Sequence, residues 1–431
     1  MINMSKIYED VAQKSSLSND VLNQFAEQNN IFFKSINNDI EDITSHEAVD
    51  ILSLLIYSNK YFKSESEWER LVYCCLDKIR DGIYNNEFNS ISAFSGLTYV
   101  NFIVRELTLK VLDLKKFMKS LDYLLNNTVY SYLRLPEGSR FYSENSFELM
   151  TGLSGVLRYC LDNDNDEQYS LLTNDIVNTF VKNIHPKIVL GYTVPGCHYY
   201  PSRIESKYMD TPAINGCINY SLSHGMGGPL CALSLAHKKC GYSKEIIEII
   251  EKLILEYLDS YYYVNNIAYW PGRITFEQYI GQKKINFLPN RMSWCYGSVG
   301  ILYALYVAGK EFSNEKINEF SLNEMEKIAG LDTSQYLLNS PIVCHGISGV
   351  ALIMRKMYND TQNNIFAQKV SELTDYLIYN FTYKDIENSS LSDLNKIPMY
   401  DYLEGYTGIL QTIYSLVNNM NNVNEKRLLI L

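Results

Sequence analysis

One short pattern constrains this chain more than any other: Gly-x-x-Gly followed by an apolar run. Its second glycine falls at Gly96 (with Ala93 in the first place), Gly155, Gly228, Gly300, Gly349 and Gly408, at intervals of 49 to 73 residues. Each interval has room for two helices and their connections, so the pattern is the mark of a repeat architecture. Runs such as Ile301-Leu302-Tyr303-Ala304-Leu305-Tyr306 and Val350-Ala351-Leu352-Ile353-Met354 read as the starts of buried helices. Between the units lie amphipathic stretches. The clearest follows Ser243, with Ile246, Ile249, Ile250, Leu253, Ile254 and Tyr257 on one face and Glu245, Glu248, Glu251 and Lys252 on the other. An apolar helix alternating with an amphipathic one predicts an all-α chain of inner and outer helices, stacked as an open solenoid or closed into a ring.

Residues 46–62 and 66–79 read as two more helices, a further repeat that has lost its glycines. One region, about 185–220, breaks the rhythm. There Lys187 to Val194 is strand-like and is followed by Pro195, Gly196 and Pro201, which predicts a small non-helical insertion rather than a separate domain. We therefore expect residues 1–431 to form one repeat-built domain carrying that insertion.

An apolar fraction of 46% and a charged fraction of 20% allow a sizeable core. The 38 basic and 49 acidic residues, a net charge of -11, disfavour nucleic acid as a partner. The amino terminus lacks a basic stretch followed by an apolar core, and no apolar run approaches the roughly 18 residues of a membrane span. Both point to an intracellular, reducing setting, where nine scattered cysteines are not a disulfide framework. Cys74, Cys75, Cys160, Cys231 and Cys240 lie in helical patterns and are expected to be small buried residues.

Chemistry gathers at the residues just before the first glycine. The position one before it holds Thr151, His224, Tyr296, His345 and Glu404 in successive units, and the position two before it holds Met150, Ser223, Cys295, Cys344 and Leu403. In a closed ring these positions would share one end. Cys295, Cys344 and His345 make a soft donor set suited to zinc, and three protein ligands leave a tetrahedral ion one open position, the sign of a catalytic site. His224 is a fourth ligand, a general acid/base or a helix-capping histidine. Arg291 is either a fixed charge near the site or part of a surface ion pair, and Tyr296 a proton donor or a packing residue. Cys197-His198 is a rival pair, but it lacks the following glycine and is set aside.

The motifs Ser223-His224-Gly225, Trp294-Cys295-Tyr296-Gly297 and Cys344-His345-Gly346, with Leu403-Glu404-Gly405 after them, resemble the lanthionine synthetase C-like family over about residues 45 to 420. The resemblance implies an α/α toroid of seven inner and seven outer helices with a small inserted extension and a zinc ion (Zn2+) at one end. It implies Cys295, Cys344 and His345 as zinc ligands, His224 as the acid/base, and Arg291 and Tyr296 as active-site residues. Glu148 stands where the family usually has Asp. The implied reaction adds a peptide cysteine thiol to dehydroalanine or dehydrobutyrine in a dehydrated precursor peptide, with a dehydratase and a transporter as partners that would bring a cytoplasmic protein to the membrane. Two rivals are a zinc-dependent thiol alkyltransferase of prenyltransferase type, which would need a basic diphosphate pocket that no Arg/Lys cluster supplies, and a zinc-stabilised peptide-binding scaffold.

Overall fold

The computed structural model describes residues 2–134, 146–201, 212–241, 243–383 and 397–430. Seven helices that begin at or just after the glycine units or their equivalent form an inner ring: α3 (Ser45–Ser58), α5 (Leu97–Lys110), α7 (Leu153–Asp162), α9 (Gly227–Cys240), α12 (Ser298–Glu311), α14 (Ile347–Thr361) and α16 (Tyr406–Asn418). Each contacts the next, and α16 returns to α3, so the ring is closed. Outer helices α4 (Glu65–Tyr84), α6 (Lys115–Leu133), α8 (Glu167–Asn183), α10 (Lys244–Ser260), α13 (Glu315–Ala329) and α15 (Asn364–Tyr383) each pack on the inner helix before them. The seventh outer helix comes from the other end of the chain. After the short α1 (Met4–Ala12), α2 (Asn19–Asp39) packs against α15, and its Asn29 side chain meets the Tyr414 hydroxyl of α16 at 2.6 Å. The expected α/α toroid of seven inner and seven outer helices is what the chain forms.

The inner and outer helices differ as their sequences require. Every residue of α12 from Ser298 to Gly309 is buried, whereas α10 buries a single stripe from Ile246 to Tyr257. The degenerate repeat is real: Thr44 caps α3 in a reciprocal capping box with Glu47.

In one unit the structure corrects the expected register. Gly96 is the N-cap of α5, as Gly152, Gly346 and Gly405 are for their helices, so it occupies the first glycine place, not the second. The second place is Tyr99, whose hydroxyl binds Asp50 of α3. In the other units the second glycine is needed for space. A Cβ on Gly349 would come within 2.3 Å of the Val343 carbonyl oxygen and 2.9 Å of the Trp294 Cβ. Gly155, Gly228, Gly300 and Gly408 lie in the same way against Ala93, Leu149, Leu222 and Val343 of the preceding unit.

The non-helical part is larger than its sequence suggested. Lys187 to Val194 is a tight hairpin, not one strand: β1 (Lys187–Val189) pairs with β2 (Tyr192–Val194) across Leu190 and Gly191, both at positive φ. Residues 202–211 of the expected insertion lie outside the described residues. A second non-helical stretch follows α10. It holds the hairpin of β4 (Tyr262–Val264) and β5 (Ile267–Tyr269), and Trp270-Pro271-Gly272 follows directly after β5. Then β6 (Arg273–Thr275) pairs antiparallel with β3 (Cys217–Asn219), and the four-residue helix α11 (Phe276–Tyr279) follows. The β3–β6 pairing joins the two stretches into one extension beside the rim.

Cysteine burial is mixed. Cys75, Cys160 and Cys231 are buried as expected and Cys74 is half-buried. Cys240 is exposed, contrary to expectation, because it is the last residue of α9, where Gly241 in a left-handed conformation turns the chain out of the ring. No helix among the described residues is long and apolar enough to cross a membrane.

After α16 the chain turns back into the ring. The short helix α17 (Val423–Arg427) and Leu428 to Ile430 are almost wholly buried. Asn424 donates to Gln411 Oε1 of α16 at 2.8 Å and to Ser53 Oγ of α3 at 3.2 Å. Glu425 pairs with Arg355 of α14, and both side chains are at most 4% exposed. Lys426 reaches Asp162 of α7 at 3.6 Å, and Arg427 donates to the Ala93 carbonyl at 3.2 Å. A five-residue helix touching α3, α7, α14 and α16 can only lie on the ring's axis.

A buried ion pair that loses one partner leaves an unpaired charge, at a cost of about 3–5 kcal/mol. Glu425→Ala should therefore lower the free energy of unfolding by about that amount in urea denaturation, and Gly349→Ala should lower it by about 1–3 kcal/mol through overpacking.

Candidate metal centre and its surroundings

All of the inner helices begin at the same end of the ring, so the turns before them form a rim. Backbone hydrogen bonds stitch each turn to the next: Ala93 N–H to Met150 O (3.0 Å), Leu149 to Ser223 (3.0 Å), Leu222 to Cys295 (3.2 Å), Cys295 to Cys344 (3.1 Å) and Cys344 to Leu403 (2.9 Å). Within four of the turns, the side chain four residues before the first glycine accepts from the N–H one residue before it. Ser221 does so for His224 (3.1 Å), Ser293 for Tyr296 (3.3 Å) and Asp401 for Glu404 (2.6 Å). Glu148 does the same for Thr151.

This stitching brings Cys295, Cys344 and His345 together, with one ligand atom from each lying within 4.8 Å of the others. They are the one group of three or more possible metal ligands among the described residues. A tetrahedral ion with 2.3 Å bonds to sulfur holds two sulfurs roughly 3.8 Å apart, so small side-chain rotations fit the group to a metal. Its electrostatics suit a cation. Burial pushes the Cys295 thiol up, but it is outweighed by the Cys344 thiol, the Arg291 charge, the Ser293 hydroxyl and the Tyr296 N–H, and the balance falls to about 7. Cys344 moves the other way, well above an ordinary thiol, because its hydrogen bonds to Cys295 and because it is buried. The two sulfurs thus share one proton, whose place a divalent cation would take. Burial first, and then Arg291, hold the His345 imidazole below its ordinary pKa, and Glu404, 4.0 Å away, only partly offsets them. A neutral imidazole is the form that ligates.

His224 lies on the neighbouring turn. Its Nδ1 is 3.0 Å from Glu148 Oε2, and the ring is 38% exposed while the Glu148 side chain is fully buried. Glu148 also accepts from the Met150 N–H (2.8 Å) and the Thr151 hydroxyl (2.8 Å), so its carboxylate is fixed before it meets His224. A carboxylate on Nδ1 fixes the tautomer and the orientation of the ring. Tyr296 faces His224, with ring centroids 6.2 Å apart, and the Arg291 guanidinium sits 5.8 Å above the Tyr296 ring. The extension reaches the same phenol: Asn219 Nδ2 and Arg273 Nη2 donate to its oxygen at 2.9 and 3.2 Å. Neither residue was picked out from sequence, since their pairing depends on the β3–β6 register, which aligns Asn219 with Arg273.

Cys197-His198 lies elsewhere. Both residues are buried, and His198 Nε2 is 2.9 Å from the Asn215 carbonyl oxygen. Burial lowers its pKa to about 4.

The family model for lanthionine synthetase C-like proteins matches residues 48–429. The chain belongs to that family. The nisin biosynthesis protein NisC of Lactococcus lactis subsp. lactis is 29% identical over 253 residues, 55% of this chain and 56% of that protein. The matched stretch thus spans little more than half the length of this curated relative. A solved structure of nisin cyclase superposes with a TM-score of 0.79 at 18% identity, over 94% of this chain and 96% of that one, and shares its fold. In this lanthionine synthetase C-like chain, Cys295, Cys344, His345 and His224 all fall within the matched residues and lie on one rim.

In the metal-free protein, alkylation of Cys295 by iodoacetamide should rise with pH through about 7, ahead of Cys344. Arg291→Gln should move that midpoint upward. Peptide mapping by mass spectrometry reads both sites separately from the exposed Cys240.

Proposed function

We propose that this protein is a zinc-dependent lanthipeptide cyclase, which adds cysteine thiols of a dehydrated precursor peptide to dehydroalanine or dehydrobutyrine to give lanthionine and methyllanthionine rings. The observation that carries this reading is the convergence of a Cys2His donor set with a carboxylate-held histidine on one rim. Family membership and the printed roles of the relatives agree with it.

Cys295, Cys344 and His345 would hold the zinc. When bound there, zinc would keep a substrate thiol, ordinarily about 8.5 in pKa, ionised at neutral pH and would position its sulfur. His224, oriented by Glu148 through Nδ1, uses Nε2 to take the thiol proton or to return it. The thiolate lone pair forms the S–Cβ bond, the alkene pair moves to Cα, and Cα takes a proton to complete the ring. Arg291 places a permanent positive charge where the enolate develops. Tyr296 packs between His224 and Arg291 with its hydroxyl held by Asn219 and Arg273. Glu148 acts through His224 and is a positioning residue.

The whole chain would work as one toroid domain, with the extension around residues 185–220 beside the rim. We place it in the cytoplasm, with a dehydratase supplying the substrate and a transporter consuming the product.

Incubation with a dehydrated precursor should remove alkylatable thiols without changing mass, and an unchanged thiol count would refute the cyclase reading. Cys344→Ala should lose both zinc, measured by elemental analysis, and ring formation. His224→Ala should keep zinc and lose about 10²–10⁴ in rate, the range for a general acid/base. If the metal-free protein loses its helicity by circular dichroism, the peptide-binding scaffold becomes the better reading.

A further inference from the structure

The toroid is a blind cup. Residues 421–430 run along its bore, from the far end up to the floor of the candidate metal centre, and all of them but Asn421 and Lys426 are buried. At the far end, Arg355 donates to the Ser415 and Met420 carbonyls at 2.8 and 2.7 Å and pairs with Glu425. Midway, Val423 N–H donates to Tyr57 Oη at 2.6 Å. At the near end, the Arg427 guanidinium lies 4.1 Å from the Tyr99 ring centre, 4.8 Å from that of Phe94 and 5.1 Å from that of Tyr402. Phe94 and Tyr402 belong to the rim turns. The Leu428 carbonyl accepts from the Trp294 indole at 2.9 Å, immediately beside Cys295.

The contacts are polar and matched. Ser53, Gln411, Arg355 and Ser415 are bore-facing side chains, and each is at most 3% exposed because the tail covers it. Withdrawing the tail would expose them along with the buried Arg355–Glu425 pair, so the segment is fixed packing and not a movable gate.

Resting on the cyclase reading, we propose that the precursor peptide is worked on from the rim face alone, as an internal loop whose two flanking segments both stay outside the ring and never thread it. Only the cysteine and the dehydrated residue need reach the rim, so the substrate needs no free end. Rings can then be closed in any order, and a peptide that is already macrocyclic remains a substrate.

The test uses a head-to-tail cyclised peptide with one dehydroalanine and one cysteine, its linear isomer, and the Cys344→Ala protein as background. Loss of the alkylatable thiol from both peptides, above background, is expected. Loss from the linear isomer alone would overturn the proposal, because a threading ring cannot admit a closed peptide. Hydrogen exchange of the zinc-loaded protein decides the matter independently of activity. Amides of residues 423–430 should be as protected as those of α16, and exchange more than about a hundredfold faster would mean that the bore opens. If neither peptide cyclises, the cyclase reading fails, and the tail's exchange alone supports or overturns the blind cup.

Discussion

The structure depends on how closely each inner helix can start against the turn of its neighbour. At Gly349 and Gly408 there is no room for a Cβ, because the carbonyl oxygens of Val343 and Tyr402 and side chains of the preceding unit lie against the glycine. This contact sets the angle between successive inner helices and lets the backbone of each turn hydrogen-bond to the next. Repeated around the molecule, it turns a solenoid into a ring. It also converges the N-termini of all seven inner helices on one rim, each carrying a partial positive charge that favours anions. The single negative charge that the Cys295 and Cys344 sulfurs share is well placed there. The candidate metal centre is therefore a property of the register, since Cys295 and Cys344 are equivalent residues brought together by the bond from Cys295 N–H to the Cys344 carbonyl.

Glu148 shows how the same register can be reused. Four residues before the first glycine, Ser221 and Ser293 cap their own turns with short hydroxyls. Glu148 caps its turn too, but its longer side chain spans to the next one and holds His224. A position that caps one turn thus comes to bridge two by the addition of one methylene and a carboxylate carbon with its second oxygen.

Much of this was legible in the sequence, and the rest was not for identifiable reasons. The glycine pattern gave away five of the inner helices because at Gly155, Gly228, Gly300, Gly349 and Gly408 the neighbouring unit presses on the place of a Cβ. It misled only at Gly96, where Tyr99 replaces the second glycine and Ala93 imitates the first. The clustering of Cys295, Cys344 and His345, with His224 on the neighbouring turn, was legible because these residues are tied to that pattern. Asn219 and Arg273 were not, since their meeting depends on a pairing of three-residue strands more than fifty residues apart. The role of α2 was hidden for another reason: its sequence is that of any amphipathic helix, and only the closed ring shows that the last inner helix has no outer partner of its own after it.

The tail follows from the size of the ring. Seven helices spaced by roughly 9 Å put their axes on a circle of about 10 Å radius, which leaves a bore about one helix wide once their own side chains are counted. Side chains on the inner faces cannot fill that space, and water in it would weaken every polar contact along the axis. One more helix fits, and the chain supplies it as α17. Because the same segment anchors Trp294 next to Cys295 and Arg427 beneath Phe94 and Tyr402, closing the core and building the floor of the metal centre are a single packing event. An ion held at the rim would then be linked to the stability of the whole ring, with each strengthening the other.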